Sequence, residues 1–146
     1  MFNPSQLEVR NFFFDTYAKA TQSQELTALE KIAYAIILEH PEYHTVLENK
    51  IKYLEFVWSV ENGATNPFLH LSMHLTIAEQ SSIDQPPGIC QLFTQLQQQY
   101  ASAHEAEHQL IDCLSEMLWQ AQRNNTGPDA QIYFNCIRHK LGIIQL

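Results

Sequence analysis

The chain has 146 residues, 45% of them hydrophobic and 16% charged, which excludes a disordered segment and predicts a single globular domain over residues 1–146. Its formal net charge of −8 has the wrong sign for a phosphate backbone. The only close basic pairs, Lys50 with Lys52 and Arg138 with Lys140, read as solvated helix surface, so nucleic acid is excluded as a partner.

No segment approaches the roughly 18 apolar residues of a membrane span, so no membrane partner is expected. Glu8 and Arg10 stand where a signal peptide needs an apolar run, and the chain reads as cytoplasmic. Cys90, Cys113 and Cys136 are isolated and odd in number, without a CxxC spacing. They predict three half-buried thiols in a reducing compartment, neither a disulfide framework nor a thiolate zinc site.

In chain order, Pro4 and Ser5 precede a first helix near residues 5–20, where Leu7, Phe13 or Phe14, Tyr17 and Ala18 recur every three to four positions. "TALE" at 27–30 is a capping box, with Thr27 as cap and Glu30 reaching back. It opens a helix through Ile32, Ala35, Ile36 and Leu38. Pro41 ends that helix and suits the first position of the next, with His40 near its cap. Residues 53–65 predict an irregular connection packed through Phe56 and Trp58. Asn66 and Pro67 start a helix running to about Ser82. "DQPPG" at 84–88 is a turn in which Asp84 is a turn former, and a helix to about Tyr100 follows. A long amphipathic helix covers about 103–123. "NNTGPD" breaks it, and Pro128 opens a last helix to about Leu141. The predicted fold is all-α: a single-domain bundle of about six helices, four main helices plus short additions.

Six of the seven histidines form three H-x-x-x-H pairs: His40 with His44, His70 with His74, and His104 with His108. On a helix, residues four apart share a face and two such imidazoles can close on one ion. His70 and His74 share theirs with Leu71, Ile77 and Ala78, so it points inward or along the core edge. His104, His108 and Asp112 form a ladder, and Glu105 with His108 has the Glu-x-x-His spacing of di-iron bundles. Each pair lies near a helix start, and alternating helix directions would bring the starts to one end of a bundle. Glu42, Glu105, Glu107 and Asp112 are the nearby carboxylates. Glu79 lies well around its helix from His74 and is at most a supporting residue. His139 is expected exposed at a helix end. Tyr43, Trp58, Trp119 and Tyr133 read as core.

The stretches "HPEYH", "NPFLHLSMHLTIAEQ", "IDQPPGI", "HEAEH" and "EMLWQAQR" resemble the bacterial family known as domain of unknown function 1841 over most of the chain. The resemblance implies a small cytoplasmic bacterial protein and supplies no activity. His40, Glu42, His44, Asn66, His70, His74, Glu79, Gln80, His104 and His108 fall on its motif positions.

Two functions follow. The first is a metal-binding bundle whose ligands come from His40, His44, His70, His74, His104 and His108 with Asp112, Glu42 or Glu105. One or two divalent ions (zinc, iron, manganese or nickel) suit imidazole and carboxylate donors. Whether it is an enzyme is not readable. The second is a structural or interaction protein, such as a homodimer formed through the Trp119-bearing helix. Its histidines would then build a hydrogen-bonded polar core or an anion site.

Overall fold

The computed structural model describes residues 4–59 and 66–143, and all secondary structure among them is helical. Eight α-helices are present among the described residues, where the sequence predicted about six. The two extra ones are short, His44–Leu47 (α3) and Lys50–Tyr53 (α4). No helix is long and apolar enough to cross a membrane. The chain divides into two compact units, Met1–Leu75 and Thr76–Leu146, and the division falls inside one helix, Pro67–Ile83 (α5).

In the first unit, α1 (Pro4–Thr21) packs on α2 (Ala28–Leu38). Phe13 and Phe14 are both buried, together with Tyr17, Ala33, Ile36, Ile37, Leu47, Phe68 and Leu71. The inward face of α2 is therefore Ala33, Ile36 and Ile37, while Ile32 and Leu38 are exposed. The capping box is present: the Glu30 amide donates to Thr27 Oγ1 at 3.2 Å and the Thr27 amide to Glu30 Oε1 at 2.9 Å. Lys19 adds an ion pair to Glu30 at 2.9 Å.

Pro41 starts only a three-residue 3-10 turn, Pro41–Tyr43, before α3. The connection after α4 is irregular, as expected, and residues 60–65 of the predicted loop lie outside the described residues. Arg10 organises this connection. Its Nη1 donates to the carbonyls of Tyr53, Leu54 and Phe56 at 3.3, 3.0 and 2.9 Å. Its guanidinium lies 5.1 Å from the Trp58 ring centre and 5.2 Å from that of Phe68. A cation spends its donors on the chain end of α4 and its faces on aromatic rings, which is how a buried arginine is tolerated.

Asn66 caps α5 as predicted, its Oδ1 accepting from the Phe68 amide at 3.0 Å. In the second unit, α6 (Ile89–Gln99), α7 (Ala103–Asn124) and α8 (Ala130–Lys140) pack pairwise around Ile89, Leu96, Leu110, Leu114, Tyr133 and Ile137. Asp84 does more than form a turn. Its carboxylate accepts the amides of Gly88 at 3.2 Å and Cys90 at 3.0 Å, closing the start of α6 and holding its own pKa below the usual carboxylate value. Gly88, at φ 98°, occupies the left-handed region that disfavours side chains. The last helix starts two residues later than Pro128 suggests, because Asp129 caps it by accepting from the Gln131 amide at 2.9 Å.

The cysteine expectation is corrected. Cys113 and Cys136 form a disulfide between α7 and α8, with Cα atoms 5.5 Å apart, and among the described residues Cys90 is the free thiol. The two helices run antiparallel, since Lys140 of α8 reaches back to Gln109 and Asp112 of α7 at 2.7 and 3.4 Å. That register sets the two thiols opposite one another, which a spacing of 23 residues does not reveal. It also corrects the reading of Lys140 as plain solvated surface. Trp119, expected in the core, is 53% exposed, while Tyr133 is fully buried. The Tyr133 hydroxyl donates to Gln80 Oε1 at 2.8 Å, and burial drives its pKa far above the ordinary phenol value.

Candidate metal centre

The inner face of α5 carries Leu71, His74 and Ile77, all fully or almost fully buried. His70, one turn before His74, is half-buried. Helical spacing brings the two imidazoles together: their Nε2 atoms are 3.1 Å apart and their ring centroids 4.7 Å. The other element is the bend between α2 and the 3-10 turn, where His40 is 3% exposed. His40 packs edge-on to both α5 histidines, with centroids 5.1 Å from His70 and 4.6 Å from His74. His40, His70 and His74 each offer a nitrogen within 4.8 Å of the others.

Backbone hydrogen bonding fixes the His40 tautomer. Its Nδ1 sits 2.8 Å from the Ile36 carbonyl, which can only accept, so Nδ1 carries the proton and Nε2 presents a lone pair. A ring oriented through one nitrogen by a carbonyl, with the other nitrogen turned to the cluster, is the arrangement of metal-ligating histidines. Tyr43 completes the wall. Its ring stacks parallel to His40 at 5.5 Å and meets His70 edge-on at 6.1 Å. Burial, with a smaller contribution from the Glu42 charge, raises the Tyr43 pKa.

The H-x-x-x-H pairs fare differently. His70 and His74 act together, as their helix requires. His40 and His44 do not. The His40 backbone, at φ −126° and ψ 64°, is not helical, so a spacing of four places the rings apart. His44 turns to α2, its Nε2 2.9 Å from the Ile37 carbonyl and its ring 5.5 Å from Tyr17. In the second unit the His104 and His108 ring centroids are 4.2 Å apart, with His104 exposed and His108 half-buried. Asp112 is exposed and pairs with Lys140. Glu105 is exposed at the start of α7, where Gln109 donates to it at 3.5 Å. Glu42 and Glu79 are exposed. His139 is exposed in the last turn of α8, as expected. The role of Tyr43 escaped the sequence reading, although its place inside "HPEYH" was the available signal.

Among the described residues, fold and cluster define a class, an all-helical protein with a partly buried, imidazole-only group. The chain belongs to the family described as Domain of unknown function (DUF1841), whose profile matches residues 5–139. No curated protein and no solved structure matches it.

Proposed function

We propose that His40, His70 and His74 bind one divalent transition-metal ion. The observation that carries this reading is the convergence of the three imidazoles, one of them oriented by a backbone carbonyl. Metal–imidazole bonds of about 2.0–2.1 Å fit the 3.1 Å between the His70 and His74 nitrogens, with an angle at the ion of about 100°. Bonds of that length hold two ligand nitrogens at most about 4.2 Å apart, so a pair at the 4.8 Å limit closes by about half an ångström through side-chain rotation. Imidazole donors without thiolate or carboxylate favour zinc, iron or nickel over manganese. His44, His104, Glu42, Glu105 and Asp112 stand outside the proposed shell, since His44 and Asp112 have other partners and the rest are exposed.

Isothermal titration of metal-free protein with zinc or nickel tests it. One site per chain is expected, lost in His74→Ala. Heat that matches a His70→Ala/His74→Ala variant would refute the site.

One observation favours a second reading. The 3.1 Å contact between two Nε2 atoms is also the length of a hydrogen bond between neutral imidazoles of opposite tautomer. The cluster would then be a polar core and the exposed Leu118 and Trp119 face of α7 a partner or dimer surface. Light scattering on wild type and Trp119→Ala tests it. A dimer dissociated by the change supports the second reading, and a monomer in both removes its interface.

A further inference from the structure

We infer that the histidine centre, when it holds a divalent ion, takes a small exogenous anion as an additional ligand. The inference rests on the metal reading above and concerns what such a site would bind. Its basis is charge. Among the described residues the ligand group contains histidines and no carboxylate or thiolate. His40 keeps its Nδ1 proton for the Ile36 carbonyl, so it ligates as a neutral ring. His74 is fully buried and His40 nearly so. A divalent ion on this shell keeps its full double charge at a place removed from water, and an isolated buried charge is costly unless an opposite charge accompanies it. Zinc centres built on three histidines leave a position for a further ligand, and the ion acidifies water bound there.

Side chains limit what can enter. His70 and Tyr43 are the half-buried members, so the approach lies on their side. The Tyr43 ring, stacked on His40 and edge-on to His70, walls that approach. A carboxylate in the shell would remove the need for the anion, which is the point at which the inference can be broken.

The test uses full-length protein loaded with cobalt(II), whose visible bands report coordination, titrated with sodium azide. A band shift saturating at one azide per cobalt is expected, with cobalt content unchanged. His70→Asp keeps a donor and adds one negative charge. It should retain cobalt and bind azide at least tenfold more weakly. Bound cobalt whose bands ignore azide, or equal azide affinity in His70→Asp, overturns the inference and leaves the metal reading standing. Failure of the wild type to take up cobalt, zinc or nickel overturns both.

Discussion

Reducing the Cys113–Cys136 bond perturbs the second unit at one defined place. The bond closes a loop spanning 23 positions, from the middle of α7 through the 125–129 turn to α8. Loop closure of that length removes chain entropy from the unfolded state worth about 3 kcal/mol. The folded helices keep Tyr133, Ile137 and the Lys140 bridges to Gln109 and Asp112, so α8 stays docked and the loss appears as stability, not as a new fold. For a chain of this size that corresponds to a fall in Tm of roughly 6–12 °C. The assay is urea unfolding of oxidised protein, of protein reduced and alkylated after mild reduction, and of Cys136→Ser. The last two should agree with each other and lie about 3 kcal/mol below the first. Alkylation of protein trapped directly from cells should modify one cysteine, Cys90. Three modified cysteines, or equal stability of all three samples, would refute the reasoning. The bond also weighs against the reducing compartment that isolated thiols imply.

Further expectations concern other parts of the chain. Tyr133→Phe should cost about 1 kcal/mol by stranding the Gln80 acceptor. Because the folded phenol pKa is raised, wild-type stability should fall as pH climbs past about 10, and the variant's should fall less steeply, as measured by urea midpoints. Asp84 has the opposite sign. Its folded pKa is lowered, so its contribution is present above pH about 4 and is lost as pH falls through the folded pKa; Asp84→Ala should flatten that acid limb. Arg10→Met should cost about 3 kcal/mol, because three carbonyls at the end of α4 lose their donor; a cost under about 0.5 kcal/mol would show that they are solvated instead. The two tryptophans report separately on the two units, Trp58 on the first and Trp119 on the second. Single-tryptophan proteins should unfold at one urea concentration if residues 1–146 are a single domain, and two midpoints would show that they are not.

Local signals were legible in the sequence. Thr27 with Glu30, and Asn66 before Pro67, mark helix starts through side chains that act within a few residues. The inward face of α5 follows from spacing alone, because Leu71, His74 and Ile77 lie on one continuous helix. Signals that depend on packing were not. Pro41 allowed only a 3-10 turn, so the four-residue spacing from His40 to His44 lost its meaning. Asp112 looked like a ligand on the helix ladder until Lys140 of α8 engaged it. Arg10 read as a charge that interrupts an apolar run, and its burial depends on a connection more than 40 residues away. Cys113 and Cys136 meet through the antiparallel register of α7 and α8, which no local pattern encodes.

The most direct test is elemental analysis of tag-free protein beside a His70→Ala/His74→Ala variant, each also melted with and without added zinc. The account predicts close to one transition-metal ion per wild-type chain, none in the variant, and a zinc-dependent rise in wild-type Tm. At a hundredfold excess over Kd the rise reflects about 2.7 kcal/mol. A wild type that carries no metal and melts at the same temperature with zinc would contradict it and make His70 and His74 a hydrogen-bonded pair in a polar core.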